Sequence, residues 1–464
     1  MEAFMQKNNS YTRRHPEDVT SKAEEIAERV HALGGSAYYV GGYVRDRLLG
    51  RDSKDIDIEI HGITEDALIE LLSDMGETAS FGRSFGIHTL RGTGIDIALP
   101  RTERSTGQGH RQFDVSVDPF IGTEAASSRR DFTINALMQD VLTGEILDYH
   151  GGREDLEKGI IRHVSDASFA DDPLRVLRAA SLASRLGFAI AEETASLCRS
   201  IDISQLSSER IEEELAKALL GSDSPSVFFE ELRRMDQLSF WFPELEALID
   251  LPQDPLYHPE GDVWVHTMEV IDRAAIFREK TKEPLSFMLL CLCHDFGKAV
   301  TTELIKGRYH AYQHEVKGIP VIESFLRRIV KEKSIRRYVT GMVPLHMRPN
   351  VAAFSKPSVK STNRLFYEAA SPGDLVYFAI CDKPVLAGEE NFTGDSDFLW
   401  ERLSVFEATM AKPHITGKDL IEAGISPGEE LGRLLDYALK LRLAGIDKDQ
   451  AMKQVMGMAR RKKQ

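Results

Sequence analysis

Cysteine is scarce: the 464-residue chain carries only Cys198, Cys291, Cys293 and Cys381. They form no CxxC pair and lie beside or within apolar stretches, which favours reduced core thiols over a disulfide scaffold or a thiolate zinc site. Long apolar runs are also missing. The longest, Phe287 to Cys293 and Leu375 to Cys381, have seven residues each, against the ~18 that a spanning helix needs. That excludes a transmembrane helix. The first residues, MEAFMQKNNSYTRRHPED, lack an apolar stretch followed by a small-residue cleavage site, so no secretory signal is expected and the protein reads as cytoplasmic. A surplus of positive charge is absent as well: 58 Lys and Arg face 73 Asp and Glu, a net charge of −15. No uniformly basic surface can coat nucleic acid, and any RNA site must be a local basic groove. What is present is 42% hydrophobic residues, enough for globular folding, in a length that predicts roughly three domains.

Helical periodicity from Thr20 to His31 (Ala23, Ile26, Ala27, Val30) stops at Gly34-Gly35. The apolar run Ala37 to Val40 follows and ends at Gly41-Gly42, which predicts helix, turn, strand and glycine turn. Two further strands are expected at Ile56–Ile60 and Ile95–Leu99, and a polar, mobile loop from Thr102 to His110. After about residue 165 helical patterns such as Leu174 to Leu186 and Ile211 to Leu220 dominate. Pro243 to Pro259 reads as a linker, a second helical region runs from Trp264 to about residue 385, and another boundary falls near Gly388 to Asp397. The end is basic, with Lys453, Arg460, Arg461, Lys462 and Lys463 and no acid after Asp449.

Gly41 and Gly42 stand where a strand hands over to a helix, so backbone amides there can approach a triphosphate. In Lys54-Asp55-Ile56-Asp57-Ile58-Glu59 the strand period of two puts Asp55 and Asp57 on one face, with Ile56, Ile58 and Ile60 turned to the core. Two carboxylates on one face can share Mg²⁺, as nucleotidyl transfer requires. A lone pair of this kind is more often a solvated strand edge. Asp96, on its own short strand, is either a third carboxylate near the metals or a structural acid.

Two later motifs, Arg129-Arg130-Asp131-Phe132-Thr133-Ile134-Asn135 and Asp171-Asp172-Pro173-Leu174-Arg175-Val176-Leu177-Arg178, complete an ordered set with GGYVRD and DIDIE. Together they resemble the class II tRNA nucleotidyltransferase and poly(A) polymerase family from about Tyr38 to Leu220. The resemblance implies a polymerase-β-like α/β head and template-independent addition to RNA 3′ ends. Gly41, Gly42 and Arg45 would hold the triphosphate, and Asp55 and Asp57 the catalytic Mg²⁺. Arg130 and Asp131 would meet the ribose and incoming nucleotide. Asp172 and Arg175 would read the Watson–Crick edge of CTP or ATP, with Arg178 beside them. The chain departs from the family pattern at Asp171, where an ion pair with Arg175 at i,i+4 on one helix is expected to compensate. It departs again at Ser181, where relatives commonly carry Arg. Arg175, Arg178 and Arg185 would share an arc of about 80°. Glu103 and Arg104 resemble the start of the flexible element that helps switch selection from C to A.

Between residues 266 and 382 stand His266, His294-Asp295, His314, His346 and Asp382. An acid and an imidazole at the end of the apolar run Phe287–Cys293 would be costly unless metal or hydrogen bonds satisfy them. CHDFGKA and this set resemble the HD phosphohydrolase superfamily. The resemblance implies a metal core of His266, His294, Asp295 and Asp382, with Lys298, His314 and His346 as phosphate contacts or added ligands. Nitrogen with carboxylate ligands suits Ni, Mn, Co or Fe. His310 is expected to be a bystander. The segments ITGKDL (415–420) and PGEELG (427–432) also resemble the C-terminal region of HD-bearing relatives, and Lys440, Arg442 and the basic end could grip tRNA phosphates.

The fold class expected is therefore an α/β nucleotidyltransferase head followed by a mainly α-helical neck, HD domain and tail. Their bounds are head 1–165, nucleotide-selecting and RNA-binding neck 166–250, HD domain 251–390 and tRNA-binding tail 391–464. The function expected is CCA addition to tRNA 3′ ends from CTP and ATP, with an HD domain hydrolysing phosphates such as 2′,3′-cyclic phosphates. CC-adding, A-adding or poly(A)-adding chemistry, or an HD hydrolase with an RNA-binding head, are the alternatives.

Overall fold

The computed structural model describes residues 16–52, 56–76, 78–81, 87–90, 93–105, 113–383 and 396–461. By contacts the chain divides into two compact units, 1–207 with 230–237, and 208–229 with 238–464. The expected neck, 166–250, is thus shared between both units.

The first unit opens with the helix Pro16–Ala32, which buries Ala23, Ile26, Ala27 and Val30. Gly34 has φ +82°, and a Cβ on Gly35 would lie 2.7 Å from the His61 carbonyl oxygen, so the turn requires glycine. Strands β1 (Ser36–Val40), β2 (Ile56–His61), β3 (Thr78–Phe81), β4 (Ile87–Leu90), β5 (Ile95–Ala98), β8 (Met138–Asp140) and β9 (Ile146–Leu147) build one sheet. Their order is β3-β4-β5-β2-β1-β8-β9. Only the β2/β5 pair among them is parallel, and it sets Asp57 opposite Asp96. Strands β6 (Arg101–Ser105) and β7 (Phe113–Val117) form a separate antiparallel pair. This corrects the loop expected from Thr102: Glu103 and Arg104 lie on β6, opposite Val115 and Asp114. The backbone pairing of these two segments overrides their polar composition, and residues 106–110 of the expected loop lie outside the described residues.

The helix Leu174–Leu186 has the bounds read from sequence and ends on Gly187 at φ +72°. A second correction concerns Asp171, which closes the helix Asp166–Asp171, whereas Arg175 belongs to the next helix. Pro173 disfavours a helical residue before it, and Asp172 adopts φ −123°, ψ 99°. Asp171 and Arg175 therefore do not share a helix face. Ser181 is buried, and its hydroxyl has no hydrogen-bond partner.

The second unit is helical apart from the antiparallel hairpin Thr302–Ile305 with Arg308–Ala311. The helix Pro284–Cys293 begins on proline, which costs nothing at a first helical turn, and is buried from Ser286 to Cys293. Around it pack Val263–Phe277, Lys333–Met342 and Pro372–Cys381, with Trp264, Phe287, Phe296, Phe325 and Phe378 fully buried. One apolar cluster joins Ala352, Phe366 and Val376 to Leu399, Leu403, Phe406 and Leu443, so a single core crosses the boundary expected near residue 390. A second cluster, from Ile415 to Ala459, belongs to the C-terminal helices alone. The segment expected to be a linker is not one: Leu245 and Leu248 are fully buried. No helix among the described residues is long and apolar enough to cross a membrane.

Candidate active site of the head and candidate metal centre

In the head, β1 ends at Gly41, whose φ of +69° favours glycine. A Cβ at Gly41 would lie 3.3 Å from Arg130 Nη1 and 3.7 Å from Asp57 Oδ2. The glycine turn, an exposed carboxylate and a guanidinium therefore meet at one point. Asp55 lies outside the described residues. Asp96 accepts a hydrogen bond from the Thr89 hydroxyl at 2.6 Å, which gives it a structural partner beside Asp57.

Beneath this point runs a buried polar network. Arg130 donates to Glu59 Oε2 at 3.1 Å, and Glu59 Oε1 lies 3.0 Å from His61 Nε2. Burial pushes the Glu59 carboxyl up, but the bond from His61 and the charges of Arg130 and Arg129 outweigh it and hold it at about 2. Arg45, almost fully buried, donates to Asn135 Oδ1 and to Asp46 Oδ1, each at 2.8 Å. Asn135 in turn donates to Asp131 Oδ1 at 3.0 Å, and Arg178 Nε donates to Asp131 Oδ2 at 2.8 Å. Burial raises the Asp131 carboxyl, yet Arg178 and Asn135 keep it below the usual range. Arg175 donates through Nη1 to the Ser168 carbonyl at 2.6 Å and through Nη2 to the Arg129 carbonyl at 2.7 Å. Asp172 accepts from the Leu174 backbone N–H at 3.1 Å. Glu59, His61 and Asn135 were not singled out by the motifs. Glu59 sits two residues beyond Asp57 on the same strand face, and that spacing was the available signal.

In the second unit all six sequence-chosen histidines and aspartates come together in two adjoining trios, His266, His294 and Asp382, and Asp295, His314 and His346. Asp295 joins them, with Oδ2 3.2 Å from His294 Nε2 and Oδ1 3.1 Å from His314 Nε2. Cys291 and Cys293 are fully buried, and the Cys291 carbonyl lies 2.8 Å from His294 Nδ1. The Ala311 and Val343 carbonyls stand at the same distance from Nδ1 of His314 and His346. A carbonyl only accepts, so each Nδ1 carries the proton, and each neutral ring turns a bare Nε2 lone pair inward. Those lone pairs face one another: His266 to His294 at 3.3 Å and His314 to His346 at 3.1 Å. Asp295 Oδ1 is buried without a hydrogen-bond partner although His314 Nε2 is beside it. Acceptors converging this way need a cation among them, so the residues present fit a bound metal.

Without a metal a proton takes that place. Burial lowers His294, but Asp295 and Asp382 outweigh it and lift it to about 10. Burial wins at His346 and brings it to about 4. Asp295 is held well below the carboxylate range because His294 and Lys298 outweigh its burial. Lys298 lies 2.7 Å from Asp295 Oδ2 and donates to Gln253 Oε1 at 2.6 Å. Sequence reasoning missed Glu260, whose Oε1 lies 2.7 Å from His266 Nδ1 and 2.9 Å from His258 Nδ1. This carboxylate fixes the tautomer of His266 as the carbonyls fix the others. His258 and Gln253 come from the expected linker and Glu260 directly follows it, and the linker's proline spacing hid them. His310 stays outside both trios, as expected.

Glycine again allows the approach. A Cβ on Gly297 would lie 2.0 Å from the His314 carbonyl oxygen and 2.9 Å from Gly318 Cα. Gly297→Ala is expected to push the His314 turn away from Asp295 and to destabilise the second unit by about 1–3 kcal/mol or more, measured as a lower midpoint in urea.

The fold and these sites define a nucleotidyltransferase head in a chain whose second unit carries a buried histidine–aspartate cluster able to hold a metal. Residues 37–162 match the poly A polymerase head domain, and 187–249 match the probable RNA and SrmB-binding site of polymerase A. The multifunctional CCA protein of Pasteurella multocida is 43% identical over 425 residues, 88% of this chain and 97% of that protein. That of Aromatoleum aromaticum is 42% identical over 286 residues, 61% of this chain and 67% of the other. The chain belongs to the multifunctional CCA protein family. The CCA-adding enzyme of Bacillus stearothermophilus in complex with CTP shares the fold at a TM-score of 0.68 and 20% identity, over 97% of this chain and 99% of that one. The Thermotoga maritima CCA-adding enzyme complexed with tRNA aligns at 0.63 and 21%, over 96% and 97%.

Proposed function

We propose that the head builds the CCA end of tRNA, using CTP and ATP as donors, in the cytoplasm. The observation that carries this reading is the meeting of Gly41, Asp57 and Arg130 at the end of β1, in a chain whose 43% identical relative is named a multifunctional CCA protein. Asp57, with Asp55, would hold Mg²⁺, which supplies charge neutralisation at the triphosphate and acidifies the attacking 3′-hydroxyl. The glycine turn admits the triphosphate close to backbone, and Arg130, oriented by Glu59, faces the same point. Arg45, Asn135, Asp131 and Arg178 form one hydrogen-bonded row behind it. Such a row keeps its side chains in place before the nucleotide arrives, so little ordering remains to be done on binding. Asp172 and Arg175 stand as the base-reading pair, and Arg175 is already oriented by Ser168 and the Arg129 carbonyl.

The decisive experiment supplies the purified protein with tRNA transcripts that lack the whole CCA, that end after the first C, or that end after the second. CTP then ATP should be used in that order, and both should be needed for a complete end. Addition of C alone, of A alone or of long A tracts would replace this reading with a CC-adding, A-adding or poly(A)-adding one. Arg175→Lys keeps a charge but loses the planar fork. It is expected to relax the CTP-then-ATP order at least tenfold in misincorporation ratio, measured by product sequencing, while affecting triphosphate affinity less.

For the second unit we propose a metal-dependent phosphohydrolase that acts on RNA ends such as 2′,3′-cyclic phosphates. The two trios around Asp295 would hold Mn, Co, Ni or Fe, which would polarise the phosphate and activate water. Lys298, held by Asp295 and Gln253, sits where developing phosphate charge can be met.

A further inference from the structure

The hairpin Thr302–Ile305/Arg308–Ala311 is turned by Lys306 (φ +52°) and Gly307 (φ +79°), the two-residue geometry that suits a twisted hairpin. Strand alternation places Arg308 and His310 on one face. That face carries an unusual row. The Arg308 guanidinium lies over the exposed Tyr257 ring, 6.0 Å from its centroid. Two residues along, the His310 ring stacks on Tyr312 at 5.0 Å and 7° between planes. Asp254 holds the Arg308 end of the row, its Oδ2 accepting from Arg308 Nε at 2.8 Å. Tyr257 and Tyr312 are each more than 60% exposed, so the rings gain nothing from core packing. In the absence of a ligand such a surface is costly.

The row is tied to the metal centre at several points. The Ala311 carbonyl, at the end of the second strand, accepts from His314 Nδ1. Gln313, between Tyr312 and His314, has φ +61°, a left-handed kink that turns the chain from the exposed stack to the buried ligand. On the other side Tyr257 precedes His258, which shares Glu260 with His266. Gln253, next to Asp254, accepts from Lys298, which pairs with Asp295.

We infer that Tyr257, Arg308, His310 and Tyr312 form the nucleobase subsite of the phosphohydrolase centre, taking the terminal base of an RNA 3′ end while its phosphate enters the metal trios. This rests on the hydrolase reading above for the identity of the phosphate site. Ring and guanidinium faces in series are what a base stacks upon, because every base has a π face and stacking tolerates sequence.

The test uses the full chain with Mn²⁺ and two probes in which a carbon–phosphorus bond replaces the hydrolysable 3′ phosphoester, 3′-deoxy-3′-(phosphonomethyl)adenosine and its base-free counterpart 3-deoxy-3-(phosphonomethyl)ribose. Calorimetry is expected to show wild-type protein preferring the adenosine probe at least tenfold, and Tyr312→Ala or Tyr257→Ala cutting that preference about five- to tenfold. Phe354→Ala, which removes an exposed ring elsewhere, is the control and should keep the preference. Equal wild-type affinity for both probes, or an unchanged preference in both tyrosine variants, overturns the subsite. Turnover of adenosine 2′,3′-cyclic phosphate is followed separately. No hydrolysis with a retained, tyrosine-dependent base preference overturns the hydrolase reading and supports the subsite. Hydrolysis with no base preference overturns the subsite alone.

Discussion

Asp57→Asn is expected to lower nucleotide addition to tRNA by roughly 10³-fold, with the metal centre of the second unit still loaded. The carboxylate is exposed at the end of a buried strand and shares its position with Gly41 and Arg130. A metal held there supplies several kcal/mol of charge stabilisation, and each 1.36 kcal/mol is tenfold in rate. Asparagine keeps the shape and the strand, so folding should be unaffected, as judged by an unchanged urea midpoint. Addition within tenfold of wild type would show that Asp57 holds no catalytic metal. Asp57 carries this expectation rather than Glu59, because Glu59 is buried and already balanced by His61, Arg130 and Arg129. Its loss would act through the posture of Arg130 and should weaken triphosphate binding together with rate.

Sequence made the sites legible where chemistry needs a fixed residue type and dim where it needs only a partner. Gly41, Asp57, Asp131, His266, His294 and Asp382 belong to motifs whose proposed chemistry calls for a particular residue type: a positive φ at Gly41, and carboxylate or imidazole groups at the others. Glu260 accepts from two imidazoles, and Gln253 and Asn135 act through hydrogen bonds to one or two neighbours; nothing in composition distinguishes the three from ordinary polar residues. Helix bounds came through where apolar periodicity was uninterrupted, as in Leu174–Leu186. They failed at Asp171-Asp172-Pro173, where a proline effect on the preceding residue outweighed the i,i+4 pattern. The strand Arg101–Ser105 was missed because its pairing with Phe113–Val117 is non-local, whereas its own residues are polar. The boundary near residue 390 misled for a similar reason. A composition shift marks a connection, but the core from Ala352 to Leu443 closes across it.

Asp295→Asn should have the largest effect in the second unit, because each of the two carboxylate oxygens of Asp295 meets histidines of a different trio. Its Oδ2 stands against His294 and Lys298, and its Oδ1 against His314 and His346. An amide in this place turns one oxygen into a donor aimed at lone pairs and takes away the negative charge that pairs with Lys298 and that a bound metal would need. Breaking a buried charged set by removing one partner typically costs about 3–5 kcal/mol. A metal bound by the wild type would instead add about 2.7 kcal/mol at a hundredfold excess over its dissociation constant. Wild-type protein should therefore gain thermal stability on addition of Mn²⁺ or Ni²⁺ and hold metal through gel filtration. Asp295→Asn should show neither the gain nor the metal, and no phosphate hydrolysis, while CCA addition by the head continues. Glu260→Gln separates ligand from support. It leaves all six inward groups in place and loosens the hold on His266 and His258, so metal affinity should fall 10- to 100-fold rather than vanish. Full metal retention by Asp295→Asn, measured by elemental analysis, would mean that the two trios do not share a bridging carboxylate.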